Sequence, residues 1–205
     1  MHVAVNHQDL FPTRIWKFDL SALSPHFPAW RAAVEAMRAE QPSPSGRSNR
    51  GGWNSDKTVF ERADFSLLAA SVRQSFGYAL RQVTAGEEFP IQCEAWVNLH
   101  ERGSYNAAHV HQGALMSGTF YLTVPEGSGN LVFRDPRPGV VLSPFRGEGV
   151  NSARQVQLSP QEGLLVIFPN WLEHEVAFHE ADTPRVAIAM NAMLPMQAAQ
   201  ASARA

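Results

Sequence analysis

The sequence predicts a mainly β protein, with helices confined to the N-terminal part and a β-sandwich or jelly roll behind them. Three observations favour this fold class. Two amphipathic helical patterns lie before residue 90, short segments rich in β-branched and aromatic residues follow it, and turns of Gly, Pro, Ser and Asp separate these segments. Strands without intervening helices form sandwiches or jelly rolls, because parallel sheets need helical crossovers.

The N-terminal part is predicted to contain an edge strand at residues 14–18 and two helices. The first helix covers residues 28–40, because Pro28 suits a first turn and apolar side chains then recur on one face. The second begins at Asp64 and has about five turns. Its apolar residues, at three- and four-residue steps, are Phe65, Leu68, Val72, Phe76 and Leu80.

Between the helices, residues 41–56 are dense in Pro, Gly, Ser and Asn and are predicted as a loop, of which residues 47–56 are a candidate lid. The predicted strands are 94–99, 117–124, 130–134, 155–158, 164–168, 173–178 and 185–193. We expect a single domain over residues 1–205. In this domain residues 1–90 would support the jelly roll, residues 91–194 would form its core, and residues 195–205 would be a frayed tail.

Composition excludes several classes of protein. The formal net charge is -2 and Lys and Arg form no cluster, so a nucleic-acid partner is not predicted. The single cysteine, Cys93, cannot form an internal disulfide, and no apolar run is long enough for a bilayer. We therefore expect a cytoplasmic protein without a membrane partner, and the choice between monomer and homodimer stays open.

Three of the eight histidines occupy positions suited to a metal site: His109, His111 and His174. Residues two apart on an extended segment point the same way, so His109 and His111 can face one ion while His174 arrives from another strand. Three ligands on one face leave positions open, as non-haem iron(II) oxygenases require, although imidazole also suits zinc, nickel or copper. The alternative is that these histidines are ordinary surface or core residues. His100 and His179 are interpreted as surface or loop residues.

A series of ordered motifs resembles the bacterial 2-oxoglutarate- and iron(II)-dependent oxygenases of the prolyl hydroxylase-like superfamily. The matching segments are Trp96-Val-Asn98, Gly103-Ser-Tyr105-Asn106, His109-Val-His111-Gln112-Gly113, Ser117-Gly118-Thr-Phe-Tyr121, Gly129-Asn-Leu131-Val-Phe133-Arg-Asp135-Pro136-Arg137, Gly163-Leu-Leu-Val-Ile-Phe168-Pro169 and Trp171-Leu-Glu-His174. The resemblance covers residues 92–193. It implies a double-stranded β-helix, that is, a cupin-like jelly roll.

The resemblance also assigns roles to single residues. It implies His109, His111 and His174 as metal ligands, although relatives in the wider superfamily carry Asp or Glu where this chain has His111. Asp135 is the reserve candidate for the third ligand if the backbone directs His111 elsewhere. Arg185 would receive the far carboxylate of 2-oxoglutarate through its planar fork, the alternative being a surface ion pair with Asp182 or Glu180.

Two further cosubstrate contacts follow from the same comparison. Tyr121 aligns with a tyrosine that donates to that carboxylate, and Asn98 would face inward together with Trp96. The alternative for Tyr121 is a core aromatic whose hydroxyl binds a backbone partner.

The function implied by the resemblance is that of an iron(II)- and 2-oxoglutarate-dependent dioxygenase. Such an enzyme hydroxylates a small-molecule or peptide substrate while 2-oxoglutarate is decarboxylated to succinate. Two alternatives stay open: a three-histidine iron dioxygenase that does not use 2-oxoglutarate, and a metal-binding module without catalysis.

Overall fold

A computed structural model describes residue 6 and residues 8–46, 48–144, 147, 149 and 152–195. The described residues form two α-helices and eleven β-strands, joined by loops and short 3₁₀ turns. In chain order the elements are β1 (Trp16–Asp19), α1 (Phe27–Glu40), β2 (Asn49–Arg50), β3 (Trp53–Asn54), α2 (Ser66–Val83), β4 (Gln92–His100), β5 (Tyr105–His109), β6 (Met116–Thr123), β7 (Leu131–Arg134), β8 (Gln155–Leu158), β9 (Leu164–Pro169), β10 (His174–Val176) and β11 (Arg185–Met193).

The strands pair into two antiparallel sheets. The larger sheet has the order β1-β9-β6-β11-β4-β3, and the smaller sheet has the order β2-β5-β10-β7-β8. Side chains of both sheets, among them Phe133 from β7 and Phe168 from β9, share one apolar cluster between them. This arrangement confirms the predicted double-stranded β-helix.

Alternation along the strands divides the larger sheet into two faces with different tasks. On β4, Ala95, Val97 and Leu99 are fully buried and pack toward the helices, together with Val186, Ile188 and Met190 of β11. Successive strand residues point to opposite faces. Trp96, Asn98 and His100 of β4 therefore face the smaller sheet, where they line a cavity with Arg185 and Ala187.

The two helices cover the outer face of the larger sheet. Trp30 and Phe27 of α1 meet Phe120 of β6 edge-on, at ring-centroid distances of 6.0 and 5.7 Å. Phe76 of α2 is fully buried in the same cluster, as is Phe65 just before it. Each such side chain contributes about 1.5–3 kcal/mol through burial, so the helices stabilise the sheet that carries the site.

The helix and strand predictions are confirmed, with shifts of a few residues at their ends. Two predictions are wrong in part. Residues 41–56 are not all loop, because β2 pairs with β5, β3 pairs with β4, and Trp53 is buried in the helix-side core. The segment before His109 is also a strand, β5, although its sequence has few β-branched residues; β10 and β2 pair with it on either side.

Some predictions fall on residues that the structure does not describe. Beyond residue 195, the predicted frayed tail lies outside the described residues, as does Arg47 of the candidate lid. Within the part of the chain that is described, no helix combines the length and the apolar character needed to cross a membrane.

Candidate metal centre and cosubstrate pocket

The structure brings together the three histidines singled out in the sequence. His109 ends β5, His174 begins β10, and the two are paired directly across the smaller sheet. His111 follows in the loop after β5. One potential ligand atom from each imidazole lies within 4.8 Å of the other two. His111 and His174 are 63 residues apart in the chain, yet their Nε2 atoms lie 3.3 Å from each other.

Hydrogen bonds fix the ring orientation of two of these histidines. Nδ1 of His109 lies 2.8 Å from the Ala107 carbonyl, and Nδ1 of His174 lies 2.9 Å from the Leu172 carbonyl. A carbonyl only accepts, so each Nδ1 carries the proton and each Nε2 keeps its lone pair. Metal-binding histidines have this arrangement, because the hydrogen bond from Nδ1 fixes the tautomer and the orientation of the ring, and Nε2 then points at the metal ion.

The loop that carries His111 is tied to the turn before His174. The backbone N–H of His111 donates to the Asn170 carbonyl at 2.9 Å. In return, the side-chain amide of Asn170 donates to the His111 carbonyl at 3.2 Å. These two bonds hold His111 near His174 without a strand, and they identify Asn170 as a supporting residue that sequence reasoning missed.

Both strand-borne histidines are neutral at neutral pH. Burial, together with the neighbouring His109, lowers the pKa of His174 to about 4. Burial also lowers the pKa of His109. Neutral imidazole is the form that binds a metal ion, so the site is prepared for a cation.

The reserve candidate Asp135 does not belong to this cluster. Its carboxylate is held by Arg137, which donates from Nη2 at 2.6 Å and from its backbone N–H at 2.9 Å. The histidine cluster of the described residues contains no carboxylate. Asp135 thus pairs with Arg137 of the same Asp-Pro-Arg motif instead of facing the histidines.

Arg185 occupies the far end of the same cavity. Its side chain is 2% exposed, and its guanidinium carbon lies 5.2 Å from the centre of the Tyr121 ring. Within the described residues it has no ion-pair partner; Asp182, one of the suggested surface partners, binds Arg102 instead. Burial lowers the pKa of Arg185, yet arginine stays charged in proteins. A buried cation without a counter-ion indicates an anionic ligand.

Two buried donors, one on Arg185 itself and one beside it, have no hydrogen-bond partner within the described structure. Nε of Arg185 and the hydroxyl of Tyr121 are buried and find no hydrogen-bond partner in the described part of the chain. Burial raises the pKa of Tyr121, so the phenol keeps its proton and its ability to donate. The suggested backbone partner for this hydroxyl is absent among the described residues. These orphaned donors suit a carboxylate, and the terminal carboxylate of 2-oxoglutarate is one.

Asn98 faces the space between the two sheets. It follows Trp96 on the inward face of β4 and lines both the inner cavity and its mouth. Trp96 in turn contacts His111, with ring centroids 5.8 Å apart. The mouth encloses about 440 Å³ and reaches from Asn49 and Lys57 to the histidines, which is room for a small ligand or a peptide side chain.

Two other histidines are buried. His100 and His179 are each 1% exposed, so neither is a surface residue; His100 ends a strand, contrary to the sequence interpretation, whereas His179 does lie in a loop, between β10 and β11. His179 donates from Nε2 to the Thr183 carbonyl at 2.8 Å. His100 ends β4 directly opposite Arg185, whose Nη1 lies 2.9 Å from its Nδ1. Sequence alone gives no pairing register, so the contact between His100 and Arg185 was not foreseeable from spacing.

The fold and this site define a class: a double-stranded β-helix with three histidines for a metal and a buried arginine for an anion. Residues 94–191 match the family described as "Putative 2OG-Fe(II) oxygenase". The matched segment contains all three clustered histidines and Arg185, and the match agrees with the class of enzyme predicted from the sequence.

Solved structures support the fold. A prolyl-4-hydroxylase from Pseudomonas putida is similar with a TM-score of 0.64 and 17% identity, over 89% of this chain and 94% of that one. A prolyl hydroxylase from Trichoplax adhaerens, in complex with a hypoxia inducible factor peptide fragment, has a TM-score of 0.63 and 15% identity, over 87% and 83%. HygX from Streptomyces hygroscopicus, with nickel, 2-oxoglutarate and hygromycin B bound, has a TM-score of 0.63 and 11% identity, over 90% of this chain and 84% of that one. No curated protein matches the sequence.

Proposed function

We propose that His109, His111 and His174 bind one iron(II) ion, and that Arg185 and Tyr121 bind the far carboxylate of 2-oxoglutarate. A single observation carries this proposal. The three histidines and the unpaired guanidinium line the same cavity of the jelly roll. The spacing of the His111 and His174 nitrogens, 3.3 Å, is close to the roughly 3 Å that separates two nitrogens bound at about 2.1 Å and a right angle.

The residues divide the work between them. Iron(II) bound with 2-oxoglutarate would supply the oxidising chemistry with dioxygen as the oxidant: the keto acid would lose carbon dioxide and take up one oxygen atom to become succinate, and the other oxygen atom would enter the substrate. The histidines occupy one face of the ion and leave the other positions to ligands. Arg185 selects a keto acid that carries a second carboxylate, because only such a ligand neutralises the guanidinium. Leu131, Phe168 and Val176 line the cavity with apolar surface and exclude water from it.

The substrate enters, on this proposal, at the mouth beside His109 and His111. Asn98 stands at the junction of mouth and cavity, where its amide can orient either cosubstrate or substrate by hydrogen bonds. Complexes of similar folds hold a peptide or hygromycin B. We accordingly propose a small-molecule or peptide substrate for this chain, hydroxylated at a carbon placed next to the metal.

The location of the enzyme is also part of the proposal. Cys93 is a free cysteine, and iron(II) is maintained under reducing conditions. We therefore propose that the enzyme works in the cytoplasm, which fractionation of cells producing the full chain would test.

The decisive experiment is an anaerobic titration of the iron(II)-loaded protein with 2-oxoglutarate, followed by the visible charge-transfer band of a keto acid bound to iron(II). We expect a saturable band that Arg185→Met strongly weakens. Arg102→Met is the matched control, because Arg102 is an exposed arginine paired with Asp182, and it should leave the titration unchanged.

Other outcomes would overturn parts of the proposal. Bound iron without any band would favour a three-histidine enzyme that works without 2-oxoglutarate, or a module without catalysis. A band that Arg185→Met leaves intact would place the far carboxylate elsewhere.

A further inference from the structure

His100 forms a hydrogen bond with the buried guanidinium of Arg185. The two residues are paired across β4 and β11, and Nη1 of Arg185 lies 2.9 Å from Nδ1 of His100. His100 is 1% exposed and lines the same cavity as the three clustered histidines. It is outside the metal cluster, and the resemblance to known oxygenases assigned it no role.

We propose that His100 is a positioning residue for cosubstrate binding, which holds the guanidinium of Arg185 in the orientation that receives the far carboxylate of 2-oxoglutarate. This inference rests on the proposed function of Arg185. His100 touches neither the metal cluster nor, on this proposal, the carboxylate itself.

The hydrogen bond requires an imidazole that accepts. Arginine only donates, so Nδ1 of His100 must carry a lone pair and the ring must be neutral. The surroundings maintain this state, because burial, together with the charge of Arg185, lowers the pKa of His100 to about 3. A neutral partner leaves the positive charge of Arg185 available, whereas a carboxylate partner would neutralise it.

The hydrogen bond to His100 gives the guanidinium of Arg185 a direction, and no ion pair of the described residues does so. The guanidinium also lies over the face of Tyr121, and such stacking alone tolerates rotation over the ring. An arginine side chain carries roughly 2 kcal/mol of rotamer entropy. One hydrogen bond to Nη1 sets the plane of the fork before the ligand arrives, which reduces the ordering cost of binding.

Three substitutions distinguish the role of His100 as a hydrogen-bond acceptor from its role in packing. His100→Asn places an amide oxygen at the branch position of Nδ1 and keeps an acceptor there. His100→Gln moves the amide one carbon further, toward the position of Nε2, and His100→Leu fills space without any acceptor. His179→Leu is the matched control, because His179 is equally buried but bonds the Thr183 carbonyl.

Two keto acids separate the two ends of the pocket. Anaerobic titrations of the iron(II)-loaded full chain would use 2-oxoglutarate and pyruvate, which share the metal-binding end but not the far carboxylate. The affinity for iron(II) itself is measured in parallel. We expect His100→Leu and His100→Gln to weaken 2-oxoglutarate about ten- to a hundredfold, the usual effect of one charged hydrogen bond. Pyruvate and iron(II) affinities should stay within about twofold.

The conservative variant provides the rescue. His100→Asn should retain 2-oxoglutarate affinity within about threefold. His179→Leu should not change the affinity for 2-oxoglutarate relative to that for pyruvate. Equal loss of iron(II), pyruvate and 2-oxoglutarate affinity in the His100 variants would show a merely structural role and overturn the proposal. So would an unchanged 2-oxoglutarate affinity in His100→Leu or, if that variant does not fold, in His100→Gln. Absence of a band in the unmodified protein would instead overturn the proposed function.

Discussion

Replacing Arg185 by methionine should weaken cosubstrate binding without destabilising the ligand-free protein. The side chain is 2% exposed, bonds His100 at 2.9 Å and stacks on Tyr121 at 5.2 Å. No carboxylate of the described residues pairs with it. Methionine has a similar length and no charge, so the substitution removes the cation and keeps much of the volume.

The expected magnitudes follow from opposing terms. Burying an ion costs several kcal/mol. A hydrogen bond of a charged group returns about 1.5–3 kcal/mol, and a cation over a ring returns up to about 2 kcal/mol. These nearly cancel, so Arg185→Met should change the free energy of unfolding by less than about 1 kcal/mol or raise it slightly. Losing a desolvated charge pair with the ligand costs about 2–5 kcal/mol, or about thirtyfold to several thousandfold in the dissociation constant of 2-oxoglutarate.

Urea unfolding of the metal-free protein, followed by circular dichroism, measures the first quantity, and the anaerobic titration measures the second. A fall of more than about 2 kcal/mol in the ligand-free protein would refute the reasoning. The guanidinium would then be a satisfied structural group rather than a cation that awaits an anion.

Three further predictions concern the metal, the pH dependence and the core. His174→Ala should abolish iron(II) binding in calorimetry whereas Asp135→Asn should retain it, and the reverse would reject the assigned ligands. His100 and His174 have folded pKa values of about 3 and about 4, below about 6.5 in the unfolded chain, so only the unfolded state gains these protons between pH 6.5 and 4. Unfolding free energy of the metal-free protein should therefore fall by roughly 1.4 kcal/mol per pH unit for each histidine as pH drops, and urea titrations at pH 7, 6 and 5 that coincide would contradict this. Phe76→Ala, in the helix-side core, should cost about 3–5 kcal/mol of stability with unchanged iron(II) affinity in the folded protein, and lost affinity there would show that the helices shape the site directly.

Most of the fold was predictable because the hydrophobic pattern of this chain is regular. Leu68, Val72 and Phe76 recur at helical spacing, and all three are fully buried under the sheet. The strand at 185–193 has the bounds predicted for it, since its apolar residues form a nearly continuous buried segment. Such elements can be predicted from the sequence because their local hydrophobic pattern agrees with their tertiary packing.

The parts that were not predictable depend on pairing between distant segments. Residues 49–50 and 53–54 have loop composition, yet they add short strands to β5 and β4. Trp53 is anchored in the core, with its indole N–H donating to the Gln41 carbonyl at 2.8 Å. That a part of this segment acts as a lid stays a prediction, and any such movement must leave the anchor at Trp53 in place or break it.

The same limit applies to the site. The HxH pair and the later histidine could be found from spacing and from the resemblance, because their chemistry shows in the residue types. His100 could not, since its significance is its register opposite Arg185, 85 positions along the chain. A histidine at a strand end is more often a surface residue, and only the pairing of β4 with β11 reverses that expectation.

The charges of the proposed site explain why the residues at positions 100 and 111 are neutral histidines and not acidic residues. The described residues that line the inner cavity include no Asp or Glu; its one permanent charge is that of Arg185, and an iron(II) ion at the histidines would add two more. 2-Oxoglutarate brings both carboxylates itself, one for the metal and one for the guanidinium. An acidic side chain at position 100 would pair with Arg185 and compete with the far carboxylate, and an acidic ligand at position 111 would weaken the attraction of the metal for the keto acid. Histidine at both positions supplies the hydrogen bond or the metal bond and leaves the positive charge for the cosubstrate.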